Sequence, residues 1–178
     1  MKKFIPWFAA YLIITIIFGT IYTSVQQSLR LSANDPQIQL AEDTAAQLNV
    51  GTAPTQLVTS RVDMAASLAP FVIIYDKAGR VVTGSGMLDG KVPTISYGVL
   101  QHATSEHNNS VTWQPRSDVR IATVVAAANQ YYVASGRNLR EVEKRENIIV
   151  QLNGIGWFLS IGVLVALYMY KSKTASKK

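Results

Sequence analysis

Two long stretches without a single charge bracket this chain's middle, and they constrain its fold more than anything else in the sequence. Residues 4–22 read FIPWFAAYLIITIIFGTIY, 19 positions with no Asp, Glu, Lys or Arg. A helix rises 1.5 Å per residue, so about 20 such residues cross the hydrocarbon core of a bilayer. The second stretch, residues 148–170, holds Gln151 and Asn153 as its strongly polar members, both near its first end. Trp7 and Tyr22 lie near the ends of the first stretch, and Trp157, Tyr168 and Tyr170 near the ends of the second, as interfacial aromatics do. Pro6 falls in the first turn of its helix, where its missing N–H costs little. The rival for the first stretch is a cleaved signal peptide with Lys2 and Lys3 as its basic start. Its apolar part is longer than such signals carry, and Thr23-Ser24-Val25 makes a poor cleavage site. An uncleaved anchor is expected.

Charge then sets the orientation. Residues 22–147 hold eleven basic and all eleven acidic residues and are neutral, so the net +6 comes from Lys2, Lys3, Lys171, Lys173, Lys177 and Lys178. No basic stripe is left for a nucleic-acid surface, and nucleic acid is excluded as a partner. Lysine-only tails belong in the cytoplasm by the positive-inside rule. The expected layout is a cytoplasmic tail at 1–3, a transmembrane helix at 4–25, an extracytoplasmic domain at 26–147, a second transmembrane helix at 148–170 and a basic cytoplasmic tail at 171–178. That is a multi-pass protein of the cell membrane, with both termini inside and the lipid bilayer as its first partner. Gly154, Gly156, Ser160 and Gly162 give the second helix a small-residue face suited to close packing, for which a homodimer is one use. With no cysteine, a disulfide framework and thiolate chemistry are excluded.

Residues 24–31 can extend the first helix beyond the membrane. Asn34-Asp35-Pro36 then reads as a cap with proline at the first helical position, restarting a helix over 37–48 whose Ile38, Ala41, Ala45 and Leu48 share one stripe. Residues 70–75 are a β-branched and aromatic run, DKAG at 76–79 a turn whose Gly79 can take positive φ, and residues 80–83 the returning strand. GSG at 84–86 reads as a flexible loop, residues 88–93 as loop and 97–107 as a short helix. Strands are expected at 110–114, 120–127 and 130–135. From Asn138 a helix-forming segment leads straight into the second apolar stretch.

The resulting order is helix, hairpin, variable middle, three-stranded meander and exit helix. With PFVIIYDKAGRVVTGSG at 70–86 and RIATVVAAANQYYVASGRNL at 120–139, it resembles an extracytoplasmic PAS-like or single-Cache sensor domain. The expected fold class is α+β: a PAS/Cache-like antiparallel sheet of about five strands flanked by helices and anchored by two transmembrane helices. The resemblance implies a sensor lying between its membrane helices and reporting ligand occupancy to a cytoplasmic module. Only eight residues follow Tyr170, so output is expected through a membrane signalling partner. It also implies a pocket between the sheet and the variable middle, taking a small extracytoplasmic molecule. Tyr75, Arg80, Tyr97, Trp113, Arg120 and Tyr131 are the candidates to line it, the arginines as bidentate carboxylate holders. The plainer alternative makes the aromatics core and the arginines surface groups paired with nearby aspartates. His102 and Glu106 in HATSEH stand four apart, too few ligands for a metal site, and no cofactor is expected. No catalytic constellation appears and the chain reads as a non-enzyme. The other functional class is structural, with the outer domain as a docking or dimerisation platform.

Overall fold

The computed structural model describes residues 4–104 and 107–175. The chain divides into two units, Met1–Leu29 with Lys144–Lys178, and Arg30–Glu143.

The first unit is a pair of helical segments. It takes the start of α1 (Ile5–Asn49) and most of α3 (Arg140–Ala175). Both contain a segment long and apolar enough to cross a membrane, within Ile5–Leu29 and Arg140–Thr174. The segments run antiparallel, as their contacts show. Trp7 meets Tyr168 edge-on at 5.5 Å. Trp157 Nε1 donates to Thr15 Oγ1 at 3.1 Å. Asn153 Nδ2 donates to the Phe18 carbonyl at 3.2 Å, and Gln26 Nε2 donates to the Glu146 carboxylate. Lys171 Nζ lies 5.8 Å from the Trp7 ring, so residues 7 and 171 share one end of the pair. A Cβ on Gly156 would stand 2.8 Å from the Phe18 ring, so this small residue serves contact within the chain. Ile16, Phe158 and Leu159 point outward and are more than 60% exposed; that suits a hydrocarbon surrounding.

The second unit is α+β. Its five-stranded antiparallel sheet has the order β3-β2-β7-β6-β5, where β2 is Phe71–Asp76, β3 Val81–Gly84, β5 Asn109–Arg116, β6 Val119–Ala127 and β7 Tyr131–Asn138. A small parallel pair joins β1 (Val62–Asp63) to β4 (Gly86–Met87). Alternation along the strands splits the interior into two cores. On one face Phe71, Ile73, Tyr75, Ile121, Val125 and Ala134 pack with Met64, Leu88, Ile95 and Leu100 from the connecting segments. On the other, Val72, Ile74, Val124, Ala126 and Val133 receive the α1 stripe Ala41, Ala45 and Leu48.

Four expectations change. The helix does not restart at Pro36: α1 is continuous from Ile5 to Asn49 with the proline inside it. An interior proline costs about 3 kcal/mol. Burying Leu48 returns about 2 kcal/mol, and Ala41 and Ala45, also buried, add to it. Residues 84–86 are not a flexible loop. Ser85 is buried; its hydroxyl accepts the Val72 N–H at 2.8 Å and its own N–H donates to the Val72 carbonyl at 2.7 Å. The side chain thus supplies a ladder partner that the backbone no longer offers, and the chain passes directly from β3 into β4. The segment after Met87 holds a tight hairpin: Leu88 and Lys91 exchange backbone hydrogen bonds around Asp89 (φ 50°) and Gly90 (φ 78°). Asp-Gly favours such paired positive φ values. The helix expected over 97–107 is the shorter α2, Tyr97–Gln101.

Candidate functional site

The six residues singled out from the sequence do not converge on one place. Tyr75 and Trp113 share the sheet face covered by the 88–104 segment, but on β2 and β5, which β7 and β6 separate. Tyr75 is fully buried and its hydroxyl donates to the Pro93 carbonyl at 3.3 Å. Burial pushes that phenol well above its ordinary pKa, while a backbone hydrogen bond from Ile95 pulls weakly the other way. Trp113 is half-buried and borders an open cleft of about 650 Å³ together with Leu88, Lys91, Val92 and Pro93.

Arg80 and Tyr97 meet at the β2–β3 turn instead. Asp76 Oδ1 accepts the N–H groups of Ala78 and Arg80, each at 2.9 Å, and Arg80 Nε donates to Asp76 Oδ2 at 2.7 Å. The Arg80 backbone N–H is the main reason the Asp76 carboxyl sits below its ordinary pKa; partial desolvation opposes it and the guanidinium adds to it. Tyr97 Oη donates to the Lys77 carbonyl at 3.1 Å, and the Tyr97 ring covers Gly79, whose φ is 78° as the turn requires. Arg80 and Tyr97 therefore brace the turn.

Arg120 and Tyr131 alternate onto the opposite sheet face. Arg120 Nη1 pairs with Glu143 of α3, and Tyr131 packs against the core beneath α1. Tyr75 and Trp113 thus share a face without adjoining, Arg80 and Tyr97 share the β2–β3 turn, and Arg120 and Tyr131 lie toward opposite ends of the other face. The space between the sheet and the variable middle is occupied by Ile95, Leu100 and Tyr75.

His102 Nδ1 donates to the Gly98 carbonyl at 2.6 Å, and Glu106 lies outside the described residues. Among the described residues no group of three or more His, Asp and Glu side chains is placed to hold a metal.

A charged cleft of about 570 Å³ escaped the sequence reading. Arg61, Asp63, Ala65, Met87, Asp89 and Arg116 line it. Arg116 is clamped: Nη1 donates to Asp89 Oδ1 at 2.6 Å, and Nε and Nη2 donate to the two Asp118 oxygens at 2.6 and 3.0 Å. The Arg116 hydrogen bond leads the effects holding Asp118 below its ordinary pKa. Asp63 Oδ1 accepts the N–H groups of Ala65 and Ala66 at 2.8 and 3.2 Å. Arg61 is exposed and has no ion pair among the described residues. Asp89-Gly90 was the available signal for this site, because a two-residue turn fixes where Asp89 points.

Comparison with known proteins finds no match, among family models, curated proteins or solved structures.

Proposed function

We propose that this chain is a membrane-anchored sensor. Its α+β unit is a PAS- or Cache-like domain held outside the cytoplasm, both termini are cytoplasmic, and solute binding is relayed to a partner in the membrane. The observation that carries this reading is continuity. The helix that supplies the first apolar segment, α1, also buries Ala41, Ala45 and Leu48 on the sheet, and the last strand leads within two residues into α3, which supplies the second. A change in the sheet therefore has a covalent path to each apolar segment. The element order (helix, hairpin, middle, three-stranded meander, exit helix) supports the likeness to such sensors. The antiparallel pair with Trp7 beside Lys171 supports a hairpin insertion with lysines at one end.

Docking is the second reading, and the filled space under the 88–104 segment favours it. Small-molecule sites are commonly concave and largely enclosed, and a sheet face already filled by its own side chains leaves its outer surface to a protein partner.

Two measurements on the full chain decide. Cysteine accessibility needs no background mutations, since the chain has none. Ser110→Cys should react with a membrane-impermeant maleimide in intact cells, and Ser172→Cys only after permeabilisation; the reverse pattern refutes the layout. Thermal unfolding in detergent with amino acids and organic acids should then reveal a stabilising solute. If none raises Tm and a membrane protein co-purifies stoichiometrically, the docking reading replaces sensing.

A further inference from the structure

We propose that the cleft at Arg61 is a binding site for a small monocarboxylate, and that the 63–68 turn passes its occupancy to the start of α3. The inference rests on the sensor reading and gives it an input site and a route.

Four charged groups face the cleft, and three of them are already committed. Arg116 is held by Asp89 and Asp118, Asp89 is held by Arg116, and Asp63 caps two backbone N–H groups. Arg61 is left with its donors free at the mouth. A guanidinium fork matches a carboxylate in two parallel hydrogen bonds, which a spherical cation cannot reproduce. Asp63 and Asp89 line the same cleft. A second carboxylate on the ligand would meet them, so dicarboxylates are disfavoured. Met87 and the Ala65 methyl offer the apolar contact for a short alkyl group.

The route out is a shared turn. On its cleft side, Asp63 ties down the N–H groups of Ala65 and Ala66. On its other side, the carbonyls of the same turn hold the junction between β7 and α3. Asn138 Nδ2 donates to the Met64 carbonyl at 2.8 Å. Arg140 Nη1 and Nη2 donate to the Ala65 and Ala66 carbonyls at 3.4 and 3.3 Å, and Arg137 Nε donates to the Leu68 carbonyl at 2.9 Å. Asn138 Oδ1 also accepts the Arg140 N–H at 2.8 Å, so the residue that grips the turn caps the first turn of α3 as well. A ligand that stiffens the turn stiffens the beginning of α3 through these bonds, and coupling of this kind needs no large displacement.

The test is amide hydrogen exchange on the full chain in detergent with propionate, using succinate and inorganic phosphate as comparisons. Propionate at ten times its Kd should slow exchange of peptides covering 61–67 and 140–143 by about tenfold where opening requires ligand release. Succinate and phosphate should not. Arg61→Gln should abolish the effect in both peptides. Arg140→Gln should keep it at 61–67 and lose it at 140–143. Equal protection by phosphate, or protection that survives Arg61→Gln, overturns the site; protection at 140–143 that survives Arg140→Gln overturns the route. If propionate protects neither peptide while another solute raises Tm in the detergent screen, this site is refuted and the sensor reading stands.

Discussion

Phe71 is gripped between two backbones, and the grip can be measured. A Cβ added to Gly136 would lie 2.5 Å from Phe71 Cζ and 2.8 Å from Ile121 Cγ2, and one added to Gly86 would lie 2.5 Å from Phe71 Cδ2. Phe71 is on β2 opposite Gly136 on β7, in the middle of the five-stranded sheet, and neither ring nor backbone has room to retreat. Overpacking a tight core costs about 1–3 kcal/mol. Replacing glycine by alanine where φ is not positive returns about 0.4–1 kcal/mol from the unfolded chain. We predict that the clash wins and Gly136→Ala destabilises by about 1–2 kcal/mol. With a urea m-value of about 2 kcal/mol per M, the midpoint falls by about 0.5–1 M. Trp113 reports on this unit once Trp7 and Trp157 are changed to Phe, since the chain has three tryptophans. Phe71→Leu removes the ring atoms the new methyl would strike. The double variant should therefore be more stable than the sum of the single changes by at least about 1 kcal/mol. Strict additivity, or a Gly136→Ala protein as stable as the parent, would refute this account of the core.

Three further predictions follow from particular bonds. Ser85→Ala leaves the Val72 N–H without the hydroxyl it donates to, which should cost about 1–3 kcal/mol; an unchanged urea midpoint would deny that bond its role. The Asp76 carboxyl is held below its ordinary pKa of 3.8, so its contribution is present at neutral pH and is lost as pH falls below that value toward the folded pKa. Asp76→Asn should flatten the acid limb of the stability curve between about pH 4 and pH 2, and an unaltered limb would mean the bonds are not formed in solution. Gly156→Leu should part the helix pair at Phe18, read as loss of an oxidative crosslink between Thr15→Cys and Trp157→Cys. A crosslink of undiminished yield would contradict the antiparallel contact.

Much of the sheet was legible because its signals are local. The β-branched run before DKAG, the glycine at position 79 and the three-stranded meander each declare themselves within a dozen residues. What escaped depends on distant partners. GSG at 84–86 has loop composition, and only the Val72 backbone opposite Ser85 makes it ordered. Asn34-Asp35-Pro36 carries every local mark of a helix start, yet α1 runs through it while the sheet takes up the stripe beyond. The candidate site was picked by residue type. Arg80 had an aspartate four positions earlier, a pairing readable in advance, and its charge is spent there. Arg120 could not be read that way, since Glu143 lies 23 residues away. Arg61 carried no signal of its own; its freedom emerges only once the partners of Arg116 are known.

The hydroxyl of Ser85 has a mechanical consequence. Because it lets β3 turn into β4 with no slack between them, one unbroken stretch of chain is shared by both sheets. Lifting Val62 and Asp63 out of register tugs on Ser85 through the Val62 N–H, and Ser85 is riveted to the strand next to the sheet's rim. The small parallel pair is thus a lever whose fulcrum is a single serine, and the big sheet cannot ignore what moves it.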